Sequence, residues 1–356
     1  MTDKTIACVD LFCGAGGLTH GLKSAGINVA AGIDHDETCR FPYATNNSAV
    51  FIQGDMSYAT VADLSKCWDQ AEIRILAGCP PCQPFSTYSQ RYQKRMAKAE
   101  GSHYYTGPRW GLLYSFGALI AHSLPHIVVA ENVSGIVRKK LWGDFINTLT
   151  NAGYYLRGQK VDCSLYGLPQ TRKRQVLLAS RIGPIELLPP STDHPTSVRE
   201  AIGHLPPIAQ GETHPDDPLH TASKLSDLNL RRIQASQIGG SWRDWPEHLI
   251  ADCHRRDTGY NYKGVYGRMS WNEPAPTLTT RFNGFGNGRY GHPEQDRAIS
   301  IREGAILQGF PESYAFVPDG TPARFEPLCR QIGNAVPVTL GKVIGQSIIA
   351  HVENTL

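Results

Sequence analysis

"DLFCGAGGLTHGL", residues 10–22, reads as the end of a strand, a glycine turn and the start of a helix. Gly14, Gly16 and Gly17 let the backbone turn tightly and approach a ligand with no Cβ in the way. The apolar run "IACVDLF" (6–12) leads into the turn, and the next run, "INVAAGID" (27–34), ends at Asp34. A Rossmann-like site places an acid at that point, on the ribose hydroxyls of its ligand. The glycines do not follow the spacing G-x-G-x-x-G, so the turn points to an adenosine-bearing ligand rather than to a dinucleotide. The competing reading is a tight connection and nothing more.

Further along the chain, "AVFIQGD" (49–55), "IRILAG" (73–78), "HIVVAEN" (126–132) and "QVLLASRI" (175–182) are short apolar runs of the kind buried strands show. Between them "TCRFPYATN", "TVADLSKCWDQ" and "GLLYSFGALIAHSL" suit helices. This alternation predicts an α/β fold with a mostly parallel, doubly wound sheet. From Pro184 to about Gly267 the chain is rich in Pro, Asp, His and Gly and lacks long periodic segments. Helical texture returns at "ISIREGAILQGF" (299–310) and "VTLGKVIGQSIIAHV" (338–352). The expected division is a large domain of 1–183 plus 326–356, and a smaller irregular domain of 184–325.

The chain has 356 residues, enough for two domains, with 41% hydrophobic and 19% charged residues. Nine cysteines, an odd number, suit a reducing compartment better than a disulfide framework. No secretion signal opens the sequence, and no apolar run is read as approaching the ~18 residues of a membrane span. A cytoplasmic protein without membrane contact is expected. The formal net charge of +3 permits a nucleic-acid partner without requiring one. Locally, residues 87–110 carry Arg91, Lys94, Arg95, Lys98 and Arg109 against one acid, Glu100. Such a run is also what a solvated surface looks like.

"GCPPCQPFS" (78–86) could be a redox pair, half a metal site or a nucleophile on a stiff loop. Pro80, Pro81 and Pro84 favour extended backbone over the helix a redox C-x-x-C normally starts. No second C-x-x-C exists to complete a zinc site. Cys82 therefore stands as a candidate nucleophile at the carboxyl end of a strand. Glu131, in "AENVSG" (130–135), ends another strand, as a plain helix-initiating acid or as a proton donor or acceptor facing the same crevice. In "YGLPQTRKRQVLL" (166–178), strand alternation would point Arg172 and Arg174 to one face, suited to a phosphate or a polar substrate edge.

Together these motifs resemble the DNA (cytosine-5) methyltransferase family, in order along most of the chain. "DLFCGAGGL" is similar to its AdoMet-binding glycine motif, "GCPPCQPFS" to its Pro-Cys loop, "ENV" to its acid motif and "PQTRKR" to its Gln-x-Arg-x-Arg motif. "RMSWNEPAPTLTT" (268–280), "REGAILQGFP" (302–311) and "QIGNAVPV" (331–338) resemble its later signatures.

The resemblance implies an AdoMet-dependent enzyme that flips a cytosine out of double-stranded DNA and methylates carbon 5, without a metal. Cys82 would add to carbon 6, Glu131 would hold and protonate N3, and Arg174, with Arg172 nearby, would hold the carbonyl edge or the adjacent backbone. By the same resemblance Phe12 stacks on the cofactor adenine. Asp34 takes the ribose and Asp55 the adenine amino group. Gly14, Gly16, Gly17, His35, Met56, Pro80, Leu113 and Asn334 complete the cofactor site. His35 stands where some relatives carry a large aromatic, and Cys79 stands where the family often has a small residue.

Gln83, Ser86, Arg91, Lys94 and Arg95 would contact DNA from a mobile loop. In the smaller domain "SQIGGSWRDWPEHL" (236–249) is a candidate reading loop, with Gln237, Arg243 and Trp242 as base contacts or wedges. The opposing reading makes Trp242 and Trp245 core residues. His194, His204, His214 and His220 are too widely spaced to suggest a metal site. The family further implies a prokaryotic enzyme working beside a restriction endonuclease on the same site without direct contact, and a monomer is expected because a duplex can sit between two domains of one chain. Three rivals stay open: a transfer-RNA cytosine methyltransferase, a catalytically silent DNA-binding relative and a Rossmann oxidoreductase. The first would carry a Cys-Phe-Thr tripeptide, which is absent.

Overall fold

The structure is a computed structural model and describes residues 4–81, 108–262 and 264–356. It divides into two compact units. The first comprises Met1–Asp162, Lys173–Pro189 and Val338–Leu356, the second Cys163–Arg172 and Pro190–Pro337. The second unit thus begins with a segment expected in the first, and the return to the first falls at Val338 rather than at 326.

The first unit is built on β1 (Ile6–Leu11), β2 (Val29–Asp34), β3 (Val50–Gln53), β4 (Ile73–Gly78), β5 (Ile127–Val133) and β6 (Tyr155–Asp162). After β7 (Gln170–Thr171), which belongs to the second unit, β8 (Lys173–Ser180) completes the sheet. The order is β3-β2-β1-β4-β5-β8-β6. β1 to β5 pair in parallel, and β8 runs antiparallel between β5 and β6. The fold is therefore α/β with a mostly parallel, seven-stranded sheet, as the alternation predicted. Central strands are apolar because both faces are covered: Val9, Leu76 and Val128 are fully buried, in one core with Phe116, Ile120 and Phe145. β6 is polar and largely exposed, as an edge strand can be.

Helices Gly17–Ser24, Arg40–Asn47, Val61–Trp68, Pro108–Ser123 and Lys140–Asn151 join the strands. Thr60 starts the third through a capping box with Asp63. The helical stretch Phe325–Thr355 is by length and composition apolar enough to cross a membrane, against the expectation that no run is; most of its most apolar window is buried. Its last part, Val338–Thr355, packs on Gly17–Ser24 so closely that a Cβ on Gly21 would lie 2.4 Å from the Val338 carbonyl oxygen.

Register levels the strand ends. Leu11 pairs with both Ile33 and Gly78, and Gly78 pairs with Ala130. Phe12, Asp34, Cys79 and Glu131 therefore leave the sheet at the same edge. The chain reverses direction across the sheet between β1 and β4, the switch point at which open α/β sheets bind ligands.

The second unit has little regular structure. β9 (Thr213–His214) and β10 (Asp217–Thr221) form an antiparallel pair, and β11 (Ala275–Pro276) pairs in parallel with β7. One core gathers Ile233, Trp242, Trp245, Leu249 and Phe285. Buried charges are held by an opposite charge or by backbone carbonyls. Arg297 makes two 2.7 Å bonds to Glu303, whose carboxylate also accepts the Ser300 amide. Arg268 donates to the carbonyls of Ser236, Ile233, His292 and Gln295.

Candidate active site at the carboxyl edge of the sheet

The glycine turn opens with Phe12 at φ +59°, an uncommon value for a residue with a side chain. Its ring meets Phe116 edge-on at 6.5 Å. Gly14 follows at φ +52° and Gly16 at +92°, and Gly16 caps the helix Gly17–Ser24. The space a Cβ would take at Gly14 is open, leaving room beside the turn. The Gly14 amide donates to Asp34 Oδ2 at 2.9 Å, and Oδ1 accepts the Asp36 amide at 3.0 Å. Asp34 is thus buried at the end of β2 and fastened to the turn, with the exposed His35 ring 3.1 Å from Oδ1.

Asp55 is exposed. The backbone amide and then the side chain of Ser57 hold its carboxyl below the usual range. Met56, Leu113 and Pro80 are buried. An aromatic ring, two carboxylates and an open glycine turn at one edge form a donor and acceptor set that fits an adenosine-bearing ligand. Asn334 ends the helix Phe325–Asn334 in the second unit and is exposed.

Beneath the turn lies a carboxyl the sequence reading passed over. Asp10 Oδ2 accepts the Thr19 hydroxyl at 2.7 Å, and Thr19 Oγ1 lies 3.1 Å from the Tyr43 hydroxyl. Burial pushes Asp10 up to about 7, with the Thr19 bond opposing. Its signal was an acid inside an otherwise apolar strand.

At the ends of β4 and β5, the Asn132 amide donates to the Pro80 carbonyl at 3.0 Å, securing the start of the proline-rich segment. Asn132 was also missed, although it follows Glu131 directly. Burial first, then the Glu131 and Asp10 charges, push the Cys79 thiol well up, which makes it a poor partner for thiolate redox chemistry. Cys82 and the expected DNA contacts Gln83, Ser86, Arg91, Lys94 and Arg95 lie outside the described residues. Arg174 Nε donates to Glu131 Oε1 at 2.9 Å, with both side chains almost buried.

Arg172 has a different setting. It is 2% exposed and donates to the carbonyls of Leu278 and Gly333 and to Gln170 Oε1. Gln170, fully buried, in turn bonds Leu307, Gln308 and the Leu278 amide. The expected shared face fails because β7 ends at Thr171 and β8 starts at Lys173, so strand alternation does not run through Arg172. Its guanidinium ties the second unit together.

In the candidate reading loop Trp242 is 2% exposed, stacks on His254 at 4.4 Å and donates to the Tyr262 carbonyl. It and Trp245 are core, so Trp242 is not a wedge. Arg243 bonds the Tyr260 carbonyl and lies over its ring at 4.6 Å, while Gln237 is exposed. Among the described residues no group of three His, Cys, Asp or Glu could hold a metal ion.

Comparison with known proteins gives a family and a fold. The model of the C-5 cytosine-specific DNA methylase family matches residues 6–350. The chain is 46% identical over 352 residues to the type II methylase M.HgiDII of Herpetosiphon aurantiacus, covering 98% of this chain and 96% of that protein. It is 30% identical over 357 residues to the type II methyltransferase M.Sau96I of Staphylococcus aureus, covering 99% and 77%. The fold is similar to that of the Entamoeba histolytica methyltransferase EhMeth, with a TM-score of 0.67 at 14% identity over 98% of this chain and 99% of that one.

Proposed function

This chain belongs to the C-5 cytosine-specific DNA methylase family and is a DNA (cytosine-5)-methyltransferase, and on that premise we propose that it works by base flipping and covalent catalysis as the protective methylase of a restriction-modification system. The family and fold imply AdoMet, and the carboxyl edge of the sheet suits it: Phe12 and Asp55 for the adenine, Asp34 for the ribose, and the turn at Gly14 to Gly17 beside the rest. AdoMet, when bound, supplies the methyl group.

The residues of this chain do the remaining work. Cytosine carbon 5 is a weak nucleophile. Cys82 adds as thiolate to carbon 6, which makes carbon 5 electron-rich. Glu131 holds the N3 edge and supplies its proton, with Arg174 fixing the carboxyl group's orientation. After methyl transfer a base takes the carbon 5 proton, N3 returns its proton to Glu131, and Cys82 leaves carbon 6 as thiolate. Because the target atom is buried in a duplex, the base must leave the stack first. The Glu131–Arg174 pair at the ligand-binding edge carries this reading.

The names of the relatives M.HgiDII and M.Sau96I support a type II modification role, alongside an endonuclease that acts on the same site without contacting this protein. A cytoplasmic monomer that uses no metal completes the proposal. The test is incubation of the purified chain with AdoMet and unmethylated DNA, followed by bisulfite sequencing. Methylation confined to one short sequence and absent with Cys82→Ser is the expected result. DNA binding without methylation would favour a silent relative.

A further inference from the structure

The turn Gln237–Gly240 of the second unit carries two outward side chains that take no part in holding it. Gln237 is exposed, and its side-chain amide has no hydrogen-bond partner among the described residues. Ile238 is 58% exposed. The backbone beneath them is fixed from several sides. The Gly240 amide donates to the Gln237 carbonyl at 3.0 Å and the Gly239 amide to the Met269 carbonyl at 3.3 Å. Arg289 donates to the Gly239 carbonyl, and Asp244 accepts the Ser241 amide at 2.7 Å. Gly239 sits at φ +70°. Close approach excludes side chains nearby: a Cβ on Gly240 would lie 2.3 Å from Asp244 Oδ2, and one on Gly267 would lie 2.5 Å from the Gly240 carbonyl oxygen.

A single exposed isoleucine is ordinary. An uncommitted amide beside it, on a braced turn that also holds the Arg289 guanidinium, is a more specific arrangement. A braced backbone presents both side chains from a fixed point, so only their own rotamers remain to be ordered against a base edge. An amide offers one donor and one acceptor, which matches adenine N6 and N7 in the major groove. The thymine methyl is the apolar feature of that groove. A guanidinium beside such a tip suits a phosphate, which sets position rather than sequence.

We infer that Gln237 and Ile238 are the sequence-reading tip of the second unit, and that the methylated site contains an A·T pair which they recognise. The inference rests on the proposed DNA methylation and narrows the reading loop expected from sequence. Trp242 leaves it for the core, and Ile238 enters it.

The test maps methylcytosine left by the purified full-length chain on unmethylated genomic DNA with AdoMet, beside Gln237→Ala, Ile238→Ala and Gln237→Glu. The expected wild-type site has a fixed A·T pair. Each alanine variant relaxes discrimination at that pair roughly ten- to a hundred-fold and keeps the other positions. Gln237→Glu shifts preference there toward C·G, because a carboxylate accepts from cytosine N4. Loss of packing alone would not produce such a switch. A wild-type site without an A·T pair, or variants that keep full wild-type discrimination, overturns the inference and leaves the methylase standing. Failure of the wild-type chain to methylate any cytosine overturns the proposed function, and the inference with it.

Discussion

Arg174 Nε lies 2.9 Å from Glu131 Oε1, across the antiparallel pairing of β8 with β5, and the two side chains are 12% and 9% exposed. Neighbouring strand ends thus supply both halves of the pair. A nearly buried carboxylate that loses its guanidinium loses a charge-assisted hydrogen bond and a neutralising charge. Arg174→Ala should lower the single-turnover methylation rate at least a hundred-fold and cost roughly 3 kcal/mol of stability. Arg174→Lys, which keeps the charge but not the planar fork, should recover part of the stability and less of the rate. Rapid-quench methylation assays and urea unfolding check this, and equal rates for Arg174→Ala and wild type would remove Arg174 from catalysis.

The bond from the Gly14 amide to Asp34 Oδ2 joins the turn after β1 to the end of β2. Asp34→Ala should raise the KM for AdoMet roughly ten-fold or more, with a smaller effect on kcat, because it removes the proposed ribose acceptor and loosens the turn. Gly14→Ala meets no steric clash, since the space is open. Its cost is the left-handed φ alone, about 1 kcal/mol. AdoMet titration by calorimetry separates the two: an alanine at Gly14 that harms binding as much as one at Asp34 would mean the ligand lies directly over Gly14.

Asp10 gives the first unit a pH dependence of unusual sign for a carboxyl group. Its pKa rises from 3.8 to about 7 on folding, chiefly through burial. Between those values the folded chain keeps a proton that the unfolded chain has lost. Its contribution to stability is fully present below the lower value, falls as pH rises, and is lost above the higher one. Asp10→Asn should therefore gain on wild type by roughly 4 kcal/mol between pH 4 and pH 8. Urea midpoints for both proteins across that range test it, and a constant difference would contradict the assignment.

These sites show what the chain makes legible and why. Strands β1, β2, β4 and β5 announce themselves because a strand covered on both faces must be apolar, and the glycine turn because Gly14 and Gly16 need positive φ. β6 was invisible: "YLRGQKVD" is an exposed edge with no alternation to read. The helix Lys140–Asn151 had a signal in the spacing of Leu141, Phe145 and Leu149 but no capping residue to mark its start. The reversed direction of β8, and with it the Arg174–Glu131 contact, follows from long-range pairing that local pattern does not encode. Arg172 was misplaced because it occupies the break between β7 and β8, whereas Arg174 lies within β8.

In the second unit acid acts in the opposite direction. His292 Nδ1 accepts the backbone amides of Glu294 and Gln295 at 3.2 and 2.9 Å, so it cannot carry a proton in this arrangement. Burial is the main cause that lowers His292 from 6.5 to about 4, with Glu303 opposing and Arg297 and Arg268 assisting. Glu303 is pushed up by burial, but the bonds and charge of Arg297 outweigh that and hold it at about 2, from 4.5. Both groups bind protons more readily in the unfolded chain. Stability is therefore lost as pH falls, first from about 6.5 to 4 through His292 and then from about 4.5 to 2 through Glu303. His292→Asn, whose amide oxygen can accept the same backbone groups, should flatten the upper part of this loss and leave the lower part unchanged. Glu303→Ala leaves Arg297 buried without its partner and should cost about 3–5 kcal/mol at pH 7. Urea unfolding followed by tryptophan fluorescence, with Trp68 and Trp142 of the first unit replaced by Phe, reports on the core containing Trp242 and Trp245. If acid loss between pH 6.5 and 4 persists undiminished in His292→Asn, another group in this unit is responsible.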